Sequence, residues 1–461
     1  MNVIKNLRCK TSSLAHYSQY LIVLCLCFYY FYLSRKIGLS TENGGPDEIA
    51  RSLLPRCIVN GNLYPSANDS CSVYHLGNYS YAVYPQLLAA YVSAFFMTIA
   101  KVFGATEPQI FLAGRLASVF FAGISLIAIS KTISFLFSKK AGRQTITCLS
   151  VILLGCWPQF AFLASYMNND IAGLAGVALL ILSLVRGISD KWGPANVGFL
   201  CTGIIISGLG YWNAAPFILT AIPVFILTIL KQRSDQKSTA IKTIVIAFLI
   251  CATFIMPFII GNAVRYGDVT GTRTFNERYQ QWLASGGQEL MHPYGPHLRK
   301  LLADDGFVNS SVESFIAYFG YMFCKMPSII YLIYLALAFI GIGLYLSTEK
   351  YRIKDFRYRA VAIPVAIACI IVIILFLYRT MATDYQPQGR YFIFILIPLI
   401  ICCTIGIGNT VSIDSTSGKL VVIFIALAAM TLCLYCFNHA MLSTHWTGID
   451  ITAWKIYPWP Q

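Results

Sequence analysis

The chain has 461 residues, of which 57% are hydrophobic and only 11% are charged, and its mean hydropathy is +0.66. A soluble protein of this size needs a larger charged surface, so the composition excludes that class and indicates a protein whose solvent is mostly lipid. The net charge of +15 does not indicate nucleic-acid binding, because the basic residues form short clusters between apolar segments, as in the cytoplasmic loops of membrane proteins.

The N-terminal segment predicts a retained first membrane span with a cytoplasmic N-terminus. Lys5, Arg8 and Lys10 precede an apolar run over about 18–34. That run ends in Ser34-Arg35-Lys36 and not in the small residues of a signal-peptidase site, so the segment does not read as a cleaved signal.

The number of membrane crossings before the basic cluster 139–143 determines the side on which that cluster lies, and this decides how the next two apolar segments are placed. The first outer loop is expected at 35–109 and contains the apolar segment 85–103; a second apolar segment, 110–136, precedes the basic cluster 139–143. If both segments crossed, that cluster would face outward, against the positive-inside rule. We therefore expect 85–103 to lie in the outer interface or to re-enter.

Ten further spans then complete an all-α integral membrane protein of about eleven transmembrane helices. They are expected at 110–136, 145–166, 171–187, 194–210, 213–230, 239–261, 327–346, 360–378, 391–409 and 419–438. The pieces expected outside are 35–109, 168–170, 262–326, 379–390 and the tail 439–461 with Trp446, Trp454 and Trp459. The chain 1–461 is thus predicted to be a single polytopic membrane domain with juxtamembrane helices in its first outer loop.

Two acidic positions fall at the predicted outer ends of spans. Asp47 and Glu48 follow Pro46 just after the first span, and Asp170 follows two asparagines at the start of another. Charge near a membrane surface is costly unless it is paired or used, which favours a functional role. A solvated loop, or a helix N-terminus begun by proline and two acids, is the structural alternative.

Arginines lie at the outer ends of other spans and suit a lipid phosphate. Arg379 and Arg390 flank a short outer loop, and Arg115 lies just inside a span. Guanidinium groups bind phosphate through forked hydrogen bonds, although arginines also snorkel beside headgroups without a specific ligand. His75, His292 and His297 have no metal-binding spacing and are expected to be ordinary loop residues.

The order of several short motifs resembles a known family. They are Pro-Asp-Glu (46–48), Tyr-Pro-Gln-Leu (84–87), Arg-Leu (115–116), Trp-Pro (157–158), Asn-Asn-Asp (168–170), Arg-Tyr-Gly-Asp-x-x-Gly (265–271), Ser-Phe-x-x-Tyr-Phe-Gly (314–320) and Gln-Gly-Arg-Tyr (388–391). Together they span nearly the whole chain. They resemble a bacterial branch of multispan proteins of unassigned function that is itself similar to the GT-C glycosyltransferases.

The resemblance implies an inverting sugar transfer at the outer membrane face. It implies that Asp47 is the catalytic acid of the first loop, with Glu48 beside it, that Asp170 is the acid of the second loop, and that Arg390 holds a lipid phosphate. The remaining residues that we assign to donor binding are Arg379, Arg265, Gln388 and Tyr391. The family tends to have a histidine shortly after the Asp-Glu pair, where this chain has Arg51 and Ser52.

The expected partners are a polyprenyl-phosphate sugar donor, a glycan acceptor (an envelope glycan such as O-antigen) and membrane lipid, with no nucleic acid. The expected location is the bacterial cytoplasmic membrane, with the active site facing the periplasm. No cofactor is required by the motifs, although two or three outer carboxylates could bind a divalent cation.

Cys57 and Cys71 lie together in the first outer loop, and we predict a disulfide between them because that compartment is oxidising.

Three other functions are open: a transporter or flippase of lipid-linked saccharides, a polysaccharide polymerase, and a noncatalytic scaffold. The spans carry almost no charge and the polar residues gather at one face, which favours surface chemistry over transport.

Overall fold

The computed structural model describes residues 2–40, 43–350, 354–446 and 448–449, with side chains from residue 17 onward. The first half contains α1 (Asn2–Lys36), α2 (Glu48–Val59), α3 (Leu88–Val102), α4 (Glu107–Leu136), α5 (Arg143–Gly155), α6 (Pro158–Leu163), α7 (Asp170–Ser189), α8 (Pro194–Gly210) and α9 (Ala215–Gln232). The second half contains α10 (Lys237–Tyr266), α11 (Thr272–Ala284), α12 (Leu298–Leu302), α13 (Asp305–Ile316), α14 (Ser328–Glu349), α15 (Phe356–Ala382), α16 (Leu396–Thr410) and α17 (Thr416–Ser443). Two short antiparallel strands, β1 (Tyr318–Phe319) and β2 (Cys324–Lys325), form one hairpin, and 3₁₀ turns cover Ser70–Ser72, Tyr81–Val83, Trp212–Ala214, Ser234–Gln236 and Gly389–Ile395.

Within the described residues, nine helical segments are long and apolar enough to cross a membrane, so the protein is an all-α integral membrane protein as predicted. The predicted spans 145–166 and 194–210 correspond to shorter helices, α5 with α6, and α8. The span at 145–166 is not one continuous helix. Pro158 has no N–H to donate and disfavours helical backbone at Trp157, whose ψ of 117° is extended, so the chain breaks there.

α7 is the central helix and α10 is peripheral. In the most apolar stretch of 18 residues in α7, 94% is buried inside the fold, compared with 6% in the corresponding stretch of α10. α7 and α8 approach closely because small residues line their contact: a Cβ added at Gly176 would lie 2.2 Å from Ser207 Oγ. Close backbone approach at small residues is the usual basis of helix packing in lipid, where helix association gains little from the hydrophobic effect.

The segment 85–103 forms α3, which has 15 residues and is about 22 Å long, shorter than a normal span. It packs against α2 and α4, while Phe95, Ile99 and Val102 stay exposed. This is the form expected of an interfacial helix.

The basic residues after α4 and α9 contact neighbouring helix ends, at the opposite end of these two helices from the residues near Asp47. Lys140 donates to Asn409 Oδ1 at 2.8 Å, and Arg233 donates to the carbonyl of Trp192 at 3.1 Å. The sidedness derived from charge parity is therefore consistent with the way the helices pack.

The chain after α17 differs from the expected interfacial tail. Trp446 is only 6% exposed and packs against Phe162, Phe319 and Phe437 inside the fold. Trp454 and Trp459 lie outside the described residues. The motif at 314–320 spans the end of α13, at Ile316, and the strand β1, in which Phe319 is fully buried.

Candidate active site

Asp47 and Arg390 form an ion pair at one end of the bundle. Arg390 Nη2 donates to Asp47 Oδ2 at 2.8 Å, although the two residues are 343 positions apart. Asp47 lies between α1 and α2, and Arg390 lies just before α16. The structure therefore brings together two residues that the sequence analysis assigned separately to catalysis and to phosphate binding.

Asp47 adopts a left-handed backbone conformation, with φ of 63°, immediately before α2. Such a conformation is uncommon outside glycine, asparagine and aspartate, and it concentrates at functional sites. Its N–H donates to Tyr321 Oη at 3.0 Å, and its side chain is 28% exposed, so the carboxylate is held yet open to the cleft.

Asp47 is held in its ionised form. Burial raises the pKa of this carboxyl, but the positive charges of Arg390 and Arg51, with the hydrogen bond from Arg390, outweigh it, and the net pKa lies below the ordinary aspartate value. The group is therefore a carboxylate at neutral pH.

Arg390 is fixed by its own motif. Its Nε donates to Gln388 Oε1 at 2.7 Å, and its Nη2 lies 3.3 Å from the Tyr391 hydroxyl. The preceding Gly389 N–H donates to Ser314 Oγ at 2.6 Å, which ties the motif to α13. Gln388 and Tyr391 thus lie in the site as predicted, where they orient the guanidinium.

Asp170 is the first residue of α7 and is 1% exposed. Its Oδ1 atom is buried and has no hydrogen-bond partner among the described residues. Asn168 caps the helix instead, accepting from Ile171 N–H at 3.0 Å. Arg390 and Arg51 both act electrostatically on Asp170, which places it beside the Asp47–Arg390 pair.

Glu48 points away from this cleft. It is 1% exposed and forms a buried ion pair with Arg115, with Nε to Oε1 at 2.8 Å and Nη2 to Oε2 at 2.7 Å. It also accepts from Met167 N–H at 2.8 Å. The predicted catalytic role of Glu48 is therefore not supported by the geometry, and Arg115, which also binds the carbonyls of Ile37 and Gly38, is not free to hold a phosphate.

Arg379 and Arg265 have different surroundings. Arg379 lies 5.7 Å from the ring of Tyr391 and lines a recess with Asn213, Phe376 and Gln386. Arg265 instead donates to the carbonyl of Tyr64 at 3.1 Å and stacks on its ring. Arg379 lies beside the site, whereas Arg265 fastens the loop 262–326 to the loop 35–109.

The remaining residues of the 265–271 motif serve the same attachment. The Asp268 carboxylate accepts from the N–H groups of Thr270 and Thr274 at the start of α11. Gly271, with φ of +79°, lies so close to Val83 that an added Cβ would be 2.0 Å from its carbonyl oxygen. The motif therefore docks one outer loop on the other.

Arg51 is a site residue that the sequence analysis did not assign. Its guanidinium lies 4.3 Å from the ring centre of Tyr81 and 6.0 Å from that of Tyr211, and its Nε atom is buried with no hydrogen-bond partner among the described residues. The one available signal was its position, where the resembling family has a histidine. Tyr321 carried no signal in the sequence.

The predicted disulfide is present, with the Cα atoms of Cys57 and Cys71 5.8 Å apart. In the described parts of the chain, no three His, Cys, Asp or Glu side chains come together as metal ligands would.

No protein-family model matches the chain, and no curated protein matches it in sequence. Solved structures do match in fold. ArnT from Cupriavidus metallidurans, bound to undecaprenyl phosphate, superposes with a TM-score of 0.51 at 12% identity, over 94% of this chain and 78% of that one. The apo oligosaccharyltransferase of Archaeoglobus fulgidus gives 0.56 at 12% identity, over 95% of this chain and 57% of that one.

AglB from Archaeoglobus fulgidus, in complex with an inhibitory peptide and a dolichol-phosphate, gives a TM-score of 0.50 at 14% identity, and this chain spans 56% of its length. These neighbours are GT-C glycosyltransferases. The chain therefore has a GT-C-like multispan membrane fold, as its motifs suggested.

Proposed function

We propose that this GT-C-like membrane protein transfers a sugar from a polyprenyl-phosphate donor to an envelope glycan at the outer face of the bacterial cytoplasmic membrane. The observation that carries the proposal is the Asp47–Arg390 pair, surrounded by Asp170, Arg51 and Arg379 at one end of the helices. The solved neighbours in the same fold bind undecaprenyl phosphate and dolichol-phosphate, which supports a lipid phosphate as the donor's carrier.

Asp47 acts as the general base. An acceptor hydroxyl is a weak nucleophile at neutral pH, and a carboxylate that accepts its proton contributes about 10²–10⁴-fold to such a step. The acceptor oxygen forms a bond to the anomeric carbon of the donor sugar, while its proton passes to Asp47. Direct displacement on the opposite face of that carbon inverts its configuration.

The arginines stabilise the leaving group. As the bond between the anomeric carbon and the phosphate oxygen breaks, its electron pair stays on that oxygen, and the lipid phosphate gains a negative charge. Arg390, Arg51 and Arg379 place positive charge where this charge develops, which is the largest catalytic effect in many enzymes. Arg379 adjoins the apolar side chains of Val372, Leu375 and Phe376, a suitable boundary between phosphate and lipid chain.

Donor binding must compete with the ion pair. A phosphate that engages Arg390 weakens the hold of Arg390 on Asp47, and the carboxylate becomes a stronger base as its pKa rises. Asp170 is buried near the same cations and interacts with them electrostatically, and Glu48 acts indirectly by fixing the start of α2. Glu48 thereby positions the loop after α1, and Asp47 in the same loop acts as the base.

The test is consumption of labelled polyprenyl-phosphate hexoses by membranes that contain wild-type protein or Asp47→Asn. The matched control is Glu277→Gln, the same kind of change in an exposed outer-loop pair with Arg273. Transfer by wild type and the control, but not by Asp47→Asn, supports the enzyme. No consumption of any donor, with an unchanged envelope glycan in the variant, favours a transporter or a scaffold.

The same assay tests for a divalent cation. Loss of transfer with EDTA, and its return with Mg²⁺ or Mn²⁺, would assign a cation to the carboxylates of Asp47 and Asp170. Transfer that is insensitive to EDTA would leave charge stabilisation to the arginines alone.

A further inference from the structure

A set of aromatic rings, here called the tyrosine wall, lies beside the candidate base. It comprises Tyr74, Tyr79, Tyr81, Tyr84 and Phe275. Four of them come from positions 74–84 of the first outer loop, and Phe275 comes from α11. Their ring centres are 5.4 Å apart for Tyr74–Tyr79, 5.6 Å for Tyr79–Tyr81 and Tyr79–Phe275, and 5.9 Å for Tyr84–Phe275. All five are half-buried, so their rings stay partly open to solvent and do not form a sealed core.

The tyrosine wall reaches the reaction centre. The guanidinium of Arg51 lies 4.3 Å from the ring centre of Tyr81, and the backbone N–H of Arg51 donates to the carbonyl of Asp47 at 2.9 Å. Burial raises the pKa of Tyr79 and Tyr81 above the ordinary tyrosine value, and the negative charge of Asp47 raises both further. The Tyr321 hydroxyl accepts a hydrogen bond from the backbone N–H of Asp47 at 3.0 Å, so a further phenol lies beside this residue.

Three of the tyrosine hydroxyls make no hydrogen bond within the part of the chain that the structure describes. No hydrogen bond in the described part of the chain involves the hydroxyl of Tyr79, Tyr81 or Tyr84, and these oxygens are not sealed from solvent as the Tyr166 hydroxyl is. A tyrosine in a cleft normally finds a partner for its hydroxyl, in water or in a ligand. The wall thus offers both ring faces and polar groups to a bound molecule.

The segment that carries the wall is held firmly. The Cys57–Cys71 disulfide closes the loop before it, the N–H of Tyr74 donates to the carbonyl of Tyr79 at 2.7 Å, and Arg278 Nε donates to the carbonyl of Asn78 at 3.2 Å. A preorganised surface loses less entropy when a ligand binds. The disulfide and these hydrogen bonds therefore give the segment 74–84 the rigidity expected of a ligand-binding surface.

We propose that the tyrosine wall binds a pyranose ring of the acceptor. The inference rests on the proposed function, in which the acceptor is a glycan, and assigns the residues that bind this glycan. A pyranose has C–H faces that pack on aromatic rings and hydroxyls that bond to phenols, and pockets of this mixed character suit such ligands. The acceptor is the sugar that must reach Asp47, because its hydroxyl gives up the proton.

The direct test is saturation-transfer NMR on the full chain in lipid nanodiscs free of glycosidic detergent. Aromatic protons of the protein are saturated, and the probes are methyl α-glucoside, α-galactoside, α-mannoside and N-acetyl-β-glucosaminide. We expect transfer to the ring protons of at least one probe. Tyr79→Leu should raise its dissociation constant about tenfold, and Tyr79→Phe, which keeps the ring, should raise it less.

The matched control is Tyr435→Leu, which removes a tyrosine that is 44% exposed on α17, away from the wall. It should bind the probe as wild type does. No saturation transfer to any probe, or equal binding by Tyr79→Leu and wild type, would overturn the proposal. Because Tyr79→Phe changes one hydroxyl only, it keeps the test valid if Tyr79→Leu fails to fold.

Turnover separates the acceptor from the donor sugar and from a peptide. Tyr79→Leu should raise the KM for the saccharide acceptor and leave the KM for the lipid-linked donor unchanged. A raised donor KM alone would place the donor sugar on the wall, and transfer to a peptide in place of a saccharide would also contradict the inference. Glycoside binding by a wild-type protein that consumes no donor would refute the proposed function and leave the saccharide site standing.

Discussion

Glu48→Gln should destabilise the protein strongly, because it leaves the Arg115 charge buried without its counter-ion. The pair is 1% and 0% exposed, and Glu48 accepts three hydrogen bonds, two of them from Arg115 and one from Met167. Removing one partner of a buried pair costs about 3–5 kcal/mol. The carbonyls that Arg115 binds at Ile37 and Gly38 satisfy its donors but carry no negative charge.

The expected shift in apparent melting temperature is about 3–10 °C, taking roughly 1–2 °C per kcal/mol for a chain longer than the domains for which the slope is known. The assay is thermal loss of the monodisperse peak in size-exclusion chromatography, run on matched detergent preparations. Glu277→Gln is the control, since its pair with Arg273 is 62% exposed on both sides and exposed pairs contribute little.

An unchanged melting temperature for Glu48→Gln would refute the buried-pair reasoning. Loss of sugar transfer at full thermal stability would return Glu48 to the catalytic set. We expect the reverse, with transfer per folded molecule retained.

Three further outcomes are expected. The pKa of Asp47 lies below the ordinary aspartate value, so its carboxylate stays ionised at neutral and mildly acidic pH, and transfer should not lose this base between pH 7 and pH 5. A loss centred between those values in the pH profile of kcat/KM would contradict this expectation. Cys57 and Cys71 are 14 residues apart, and a disulfide that closes a loop of this length contributes about 3 kcal/mol to the free energy of unfolding. Replacing both by serine should therefore destabilise the first loop and speed its limited proteolysis. Gly271→Ala should loosen α11 from the first loop, because the added Cβ meets the Val83 carbonyl at 2.0 Å, and hydrogen exchange over 272–284 should rise. Gly286→Ala, at another left-handed glycine but with open space around it, adds only backbone strain and should raise that exchange less.

The membrane architecture could be predicted from sequence because its signals are local. Apolar length marks the spans and basic clusters mark one side, so the expectation that 85–103 lies in the interface came from the distribution of charge alone, and the short α3 is consistent with it. The break between α5 and α6 was also readable, since Pro158 follows Trp157, but the hydropathy of the combined segment hid it.

The site could be predicted only in part, because adjacency in sequence does not give direction in space. Asp47 and Glu48 are neighbours, yet the left-handed turn at Asp47 sends the two carboxylates to different partners. The partner of Glu48 is 67 residues away, and nothing in the sequence linked them. Arg51 was seen only as a departure from a family pattern, and its place between two tyrosine rings needed the fold.

Arg265 shows the opposite error. Its motif placed it with the donor-binding residues, but its guanidinium lies 3.8 Å from the ring centre of Tyr64 and holds two outer loops together. A motif residue can serve to hold two loops together or to bind a ligand, and the residue type alone does not tell these two roles apart.

The most direct test of the central claim compares donor binding with turnover in purified Asp47→Asn protein in nanodiscs. If Asp47 is the base, the variant should bind the lipid-linked donor as tightly as wild type or more tightly, because Arg390 no longer pairs with a carboxylate, while the rate of sugar transfer falls by about a hundredfold or more. Transfer at the wild-type rate would contradict the account, and so would a loss of transfer explained wholly by lost donor binding.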